Sequence, residues 1–227
     1  MSETRYNIFN QIHKGLRNLL YSTAIDIQRA DFALGKASET IKQVLLVLDL
    51  FEEHAHNEDT HLLPMAEKHD AALVAEFESD HEIDNKLSES LREHAAEWSK
   101  ATSDSQRIAL GQAIFYAFNE FVAFNLYHMN REENVLLFTL WKHYTDVDLL
   151  NAEKTIIESI KPETLILESR WMMRSLSNTE IVKWLRGIRT HAPGEVYNIY
   201  LNLAQEELDT LRWKVVSDTL HIIPATA

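Results

Sequence analysis

Apolar residues recur every three or four positions along almost the whole chain, and no long stretch alternates with the period of two that a half-buried strand requires. The pattern predicts helices throughout. A first helix is expected from about Tyr6 to Leu34, with Gly35 as its stop. Ser38 can cap a second, whose stripe starts at Thr40 and Ile41 and continues to about His69. Pro64 should kink that helix by removing one backbone hydrogen bond. A third spans Ala71 to Lys100, the polar segment ATSDSQR ends it, and Ser103 or Ser105 caps a fourth that ends near Lys142. Four long helices with short connections are expected to form an all-α, antiparallel up-down-up-down four-helix bundle over residues 1–145. Residues 146–227 read as a C-terminal helical extension that packs on the bundle or forms an oligomer contact. Its breaks are expected at Lys161-Pro162, Ser177-Asn178 and the turn HAPGE, and Ser177 with Glu180 has capping-box spacing.

The stripes carry polar residues where apolar ones belong. The first helix aligns Phe9, Ile12, His13, Leu16, Leu20 and Ile27; the second, Val47, Leu50, His54, Glu58, His61 and Met65. The third aligns Val74, Phe77, His81, Asp84 and Leu91, and the fourth Ile114, Phe118, Phe121, Asn125, His128, Glu132 and Val135. Each stripe is apolar at its flanks and polar at a single level. At about 1.5 Å of rise per residue, His13 lies roughly 33 Å before the first turn while His54 and Glu58 lie roughly 28 and 34 Å after it. Counted likewise, Glu58 and His81 are roughly 18 and 16 Å from the second turn, and His81 and His128 roughly 33 and 37 Å from the third. In an up-down-up-down bundle these groups meet at one height.

A lone core histidine is ordinarily just hydrogen-bonded. Four of them, two with a glutamate one turn later, would cost several kcal/mol for each unpaired ion and about 1–3 kcal/mol for each unpaired imidazole. That sum rivals a domain's stability of roughly 5–15 kcal/mol, so something must satisfy them. The spacing in His54-Ala-His-Asn-Glu58 and His128-Met-Asn-Arg-Glu132 puts an imidazole and a carboxylate on one helix face, within reach of one cavity. Nitrogen and oxygen donors without sulfur suit iron, manganese or zinc. Two carboxylates can each offer one oxygen to either of two ions.

Composition narrows the rest. Five glycines and four prolines in 227 residues agree with long helices, and 45% hydrophobic content can fill a sizeable core. Without cysteine there are no disulfides, thiolate metal sites or cysteine nucleophiles, which fits a cytoplasmic location. The opening MSETRYNIFNQIHKG lacks the apolar stretch of a secretory signal, and the longest apolar run, VLLVLDL, is too short to span a bilayer. A net charge of −13 argues against nucleic acid as a partner. The excess is concentrated before Tyr144, at about −10 against about −3 for the rest, and a bound cation would neutralise part of it.

The ordered set formed by His13, His54 with Glu58, His81, and His128 with Glu132 resembles the hemerythrin-like, or HHE cation-binding, family. The leucine-leucine-proline after the first HxxxE and the acidic pairs Glu58-Asp59 and Glu132-Glu133 support the likeness, which covers about residues 6 to 143. The resemblance implies a hemerythrin-like bundle holding two non-haem iron ions. The four histidines would be terminal ligands, and Glu58 and Glu132 bridging carboxylates. It also implies dioxygen or another small diatomic molecule as partner, or a role in sensing iron, oxygen or nitric oxide. Two departures set this chain apart from the oxygen carriers. Those place two histidines one turn apart in the third helix, where this chain has Phe77 before His81 and Asn85 after it; their fourth helix carries HxxxxD rather than HxxxE. Fewer strong ligands leave more open metal positions, so the broader non-carrier group fits better.

Other residues are read as structural. His61 shares the ligand face as a core-edge histidine, His56 points to solvent, and Glu78 is a surface charge. Glu133 sits about 140° around the helix from His128, which makes Glu132 the expected ligand. His69, His94, His143, His191 and His221 show no ligand spacing and are expected on the surface, and Tyr127 is expected to pack. Trp171, Trp184, Trp213, Met172 and Met173 need covering, by the bundle or in a homodimer, and Arg170, Arg174, Arg186 and Arg189 could form a modest basic face. Three functions compete: a metal-dependent binder or sensor, an oxidoreductase acting on peroxide or nitric oxide, and a helical interaction protein with a structural metal, in which zinc is expected.

Overall fold

The computed structural model describes residues 5–34 and 37–221, and every regular element among them is helical. Helices α1 (Asn10–Arg29) and α2 (Ala37–Asn57) are followed by a five-residue π turn, Glu58–Leu62, and by the short α3 (Leu63–Glu67). Next come α4 (Ala71–Lys100), α5 (Asp104–Arg131), a second π turn (Glu132–Leu136) and α6 (Leu137–His143). The remainder is α7 (Asp146–Ser159), α8 (Pro162–Ser175), α9 (Asn178–His191), α10 (Gly194–Glu207) and α11 (Thr210–Leu220).

Local chemistry sets the boundaries. Asp70 accepts from the Leu73 N–H to cap α4, and Ser103, not Ser105, accepts from the Gln106 N–H to cap α5. Capping boxes open α7, at Thr145 and Asp148, and α9, at the expected Ser177 and Glu180. The first helix is shorter than its periodicity suggests. At its start the Phe9 N–H is held by the Asn7 side chain, and at its end the backbone turns extended at Ala30. The expected stop at Gly35 lies outside the described residues. Helix α2 begins at Ala37, so Ser38 falls in its first turn.

The four long helices close a ring: α1 packs on α2 and α5, and α4 packs on the same two. Their shared core holds Leu16, Leu19, Leu20, Val47, Phe51, Phe118 and Phe121, all buried. Each such side chain contributes about 1.5–3 kcal/mol on burial. A second apolar cluster, around Phe9, Leu62, Leu63, Phe77, Leu136 and Leu137, lies toward the π turns. His13 falls in sequence between Phe9 of that cluster and Leu16 of the core, and His54 between Phe51 of the core and Leu62. The polar level is thus sandwiched between two apolar ones.

The π turns overturn the stripes beyond each glutamate. A 3.6-residue repeat puts His61, Met65 and Val135 on the buried face; instead Val135 is exposed, and His61 and Met65 are only half-buried. Leu62, Leu63 and Ala66 are buried in one segment and Leu136, Leu137 and Leu140 in the other. The cause is one extra residue per turn: the Leu63 N–H donates to the Glu58 carbonyl and the Leu137 N–H to that of Glu132, five residues back rather than four. Pro64, which has no N–H to give, sits in the first turn of α3, while the second π turn forms without a proline.

The C-terminal helices join the bundle through α8, which runs along α1. Gly15 makes this approach: a Cβ there would come 3.0 Å from the Met172 backbone nitrogen. Trp171 is buried against the bundle core, while Met173, Leu176, Ile181, Leu185, Leu203 and Val216 build a core of their own. Glu207 neutralises half of the basic face expected from the arginines. Arg170 and Arg174 both pair with Glu207, Arg186 donates to the Thr219 carbonyl, and Arg189 lies over the Tyr197 ring.

Candidate metal centre

All six residues singled out by the stripes arrive in one buried layer. His13 comes from the start of α1, His54 from the last turn of α2, His81 from α4 and His128 from the last turn of α5. Glu58 and Glu132 open the two π turns. The Nε2 atoms of His13 and His54 are 3.2 Å apart and those of His81 and His128 3.1 Å apart. Glu58 spans the two pairs, with Oε1 3.1 Å from His54 Nε2 and Oε2 3.5 Å from His81 Nε2. Glu132 does the same from the other side, Oε2 lying 3.3 Å from His13 Nε2 and Oε1 3.0 Å from His128 Nε2. Two overlapping groups result, His13–His54–Glu58–Glu132 and Glu58–His81–His128–Glu132; within each, the candidate ligand atoms lie within 4.8 Å of one another.

The donor set fits a pair of cations. Both oxygens of Glu58 and both of Glu132 are buried without a hydrogen-bond partner, although native interiors rarely leave such atoms unpaired. Two imidazole nitrogens aimed at each other cannot both be satisfied as acceptors without a shared cation or proton. Three of the four other ring nitrogens are already held. His13 Nδ1 is 2.9 Å from Glu133, His81 Nδ1 2.7 Å from Asp59, and His128 Nδ1 3.2 Å from Asp80. A carboxylate on Nδ1 places the proton there and turns the Nε2 lone pair inward, as metal-ligating histidines require.

Electrostatics records the same crowding. Burial opposes charge on His13, but Glu133, Glu58 and Glu132 outweigh it and lift its pKa to about 9. Burial likewise opposes charge on His81, and Asp59 with Glu58 raises its pKa to about 10. Burial, then the neighbouring Glu58, pushes the Glu132 carboxyl up, while the surrounding histidines overcome burial and hold Glu58 well below the usual carboxylate range. Glu133 is drawn down to about 2 because His13 and Arg17 outweigh its desolvation.

The outer carboxylates are what the sequence reading missed. Glu133 sits outside the layer, as its helical angle indicates, yet it ties His13 to Arg17. Asp59 does for His81 what Glu133 does for His13. The acidic doublets Glu58-Asp59 and Glu132-Glu133 were the available signal; Asp80, which Arg131 also holds, had none. Among the residues set aside, Glu78, His56 and Tyr127 are exposed, so Tyr127 does not pack as expected. His61 is half-buried outside the cluster. His69 and His143 are exposed but stacked, with ring centroids 3.7 Å apart, and His94 is half-buried with an unpartnered Nδ1 rather than on the surface.

The two sides of the layer are bounded differently. Phe77 and Phe124 pack their rings 5.7 and 6.0 Å from His128, and the Arg131 guanidinium lies over Phe77. Beside His54 and Glu58 there is instead a cavity of about 180 Å³, closed on its far side by α7, α8, α9 and α10.

No curated protein and no solved structure matches the chain. Residues 4–140 match the family described as the Hemerythrin HHE cation binding domain, a span that includes all six clustered residues and stops before α7. With that match and a buried histidine and glutamate layer suited to cations, the chain belongs to the hemerythrin HHE cation-binding family.

Proposed function

We propose that the protein holds two non-haem iron ions and uses them to bind or sense dioxygen or a related small ligand. His13 and His54 would serve one ion, His81 and His128 the other, and Glu58 and Glu132 would bridge both. The four unpartnered glutamate oxygens carry this reading, since a shared pair of cations satisfies all of them at once. A reduced iron pair in this site supplies the electrons for binding dioxygen. The chain's own part is to prepare the donors. Asp59, Asp80 and Glu133 orient three imidazoles, the glutamates span the two histidine pairs, and the apolar clusters on either side exclude water. Two imidazoles and two carboxylates give four donors per ion, which leaves positions free for an exogenous ligand. We read the bundle as antiparallel, up-down-up-down, because that order brings residues early in α1 and late in α2 to one height. The cysteine-free composition supports a cytoplasmic setting.

The test is metal analysis with absorption spectra of the reduced protein before and after admitting air. Two irons per chain and a spectral change that reverses on degassing are expected. Colourless protein that takes up no iron under ferrous conditions would overturn the reading. Continued turnover with peroxide would shift it to an oxidoreductase.

A further inference from the structure

The cavity beside His54 and Glu58 owes more than half of its wall to helices beyond the family match. Helix α7 contributes Glu153, Ile156 and Ile157, with Ile160 just past its end, and α8 contributes Leu165, Glu168, Ser169 and Met172. Both sets follow the i, i+3, i+4, i+7 spacing of one helix face. Trp184 of α9 and Tyr200 of α10 meet edge-on at 5.3 Å and complete that side. The C-terminal helices therefore do more than cover the bundle. They wall one side of a space.

Three features of the space define what it would take. Its volume, about 180 Å³, slightly exceeds the roughly 150 Å³ of an apolar cavity that takes up benzene. That is room for one ring or a short aliphatic chain, far more than a diatomic molecule needs. The wall is largely isoleucine, leucine, phenylalanine and methionine, so the body of the occupant is apolar. Its charged groups are all acidic or histidine, with no lysine or arginine, which disfavours an anion.

Glu168 supplies the specific contact. It is 4% exposed, lines the cavity, and has no hydrogen-bond or ion-pair partner among the described residues. Its neighbour Ser169 is already committed, donating to the Leu165 carbonyl at 2.6 Å with the Tyr200 hydroxyl 3.2 Å away. The Glu168 oxygens are not among the fully enclosed unpartnered atoms, so they are left to the cavity, where a donor group can reach them.

We infer that this cavity is a binding site for a small organic molecule with an apolar body of about one ring and a single N–H or O–H group donated to Glu168. Burial, with Glu53 nearby, pushes the Glu168 carboxyl up to about 7, so an amine or an alcohol can be met near neutral pH. Because His54 and Glu58 form part of the same wall, the bound molecule would lie against the histidine and glutamate layer. The site does not depend on which metal the layer holds, or on the proposal that it holds iron.

Benzylamine, benzyl alcohol and benzoate, titrated separately into the full chain, test this by calorimetry and by isoleucine methyl NMR. Saturable one-to-one binding of benzylamine or benzyl alcohol is expected, with shifts at Ile156 and Ile160 and at least tenfold weaker binding of benzoate. A preference for the amine would identify a cationic occupant, a preference for the alcohol a neutral one. Glu168→Gln should weaken the preferred probe about tenfold. Ile156→Trp, or Leu165→Phe if the first variant does not fold, should abolish binding with metal content unchanged. No methyl shift with any probe, benzoate binding as tightly as the others, or an unaltered response in Glu168→Gln would overturn the assignment. Heat and methyl shifts are read with or without metal, so failure of the iron reading and failure of this one are separate results.

Discussion

The His81–His128 side of the layer and the His13–His54 side use the same donors and are finished in opposite ways. On the first, both imidazoles have an acidic partner on Nδ1, and two phenylalanine rings with an overlying guanidinium fill the space behind them. On the second, His13 is tied by Glu133, whereas His54 has no Nδ1 partner among the described residues and borders the cavity. Phe9 stacks on the His13 ring at 5.0 Å, so on this side it is His54 that is left facing open space. The cavity therefore meets the layer beside His54 rather than behind His128, although the donor sets themselves would not distinguish the two.

The strongest way to break this comparison is to remove what the sides share. Glu58→Gln or Glu132→Gln should cost both of the proposed ions together rather than one, because each carboxylate spans the two groups. Metal content per chain by mass spectrometry decides it, and retention of one ion would assign that glutamate to a single side. Phe77→Ala attacks the sealed side directly. Truncating this fully buried ring should cost about 3–5 kcal/mol in denaturant unfolding. It should also let small ligands reach the layer from the His128 side, read as faster bleaching by an external chelator.

Asp59→Asn and Glu133→Gln sharpen the comparison at lower cost. Each loosens one histidine without removing a donor, so metal affinity should fall about 10–100-fold with the fold intact by circular dichroism. An unchanged affinity in both would reduce these contacts to surface electrostatics. The smallest effect is expected at Glu180, which accepts from Lys14 and Asn10 and so fastens α9 to α1 on the open side. Burial opposes its charge, but Lys14, Ser177 and Asn10 hold its pKa down to about 2. A depressed carboxylate stabilises the fold above its unfolded pKa, near 4.5, and loses that contribution as pH falls toward 2. Glu180→Gln should therefore lower stability by about 0.2–1 kcal/mol at neutral pH, and the gap from the parent protein should close on acidification through that window.

Much of this was legible in the sequence, for a physical reason. A polar group buried at helical spacing conflicts with its own stripe, and the conflict at His13, His54, His81 and His128 is enough to point to the layer. The heights agree because helical rise is nearly constant. What periodicity could not carry is whatever breaks the period or joins distant segments. A 3.6-residue repeat assigns Val135 to the buried face only if it is continued through a turn that has one residue more. Pro64 hints at irregularity in one segment and nothing does so in the other. Asp80 reaches His128 from a different helix, and Glu168 faces the cavity only because α8 lies on α1, a pairing that depends on Gly15.

The paired π turns bear on which changes of length this chain can tolerate. Each is an ordinary helix with a surplus residue, placed directly after a side chain that must stay where it is. Loss of a single codon within residues 133–135 would remove that surplus and return the ladder to α geometry with the helix beyond it still in phase. Leu136, Leu137 and Leu140 would then follow Glu132 at three, four and seven residues, on one helix face, and would keep to the core. Substitutions can drift at exposed Val135 and the surplus residue can be lost, whereas a further residue gained between Glu132 and Leu137 would turn Leu137 and Leu140 out of the core by about 100°.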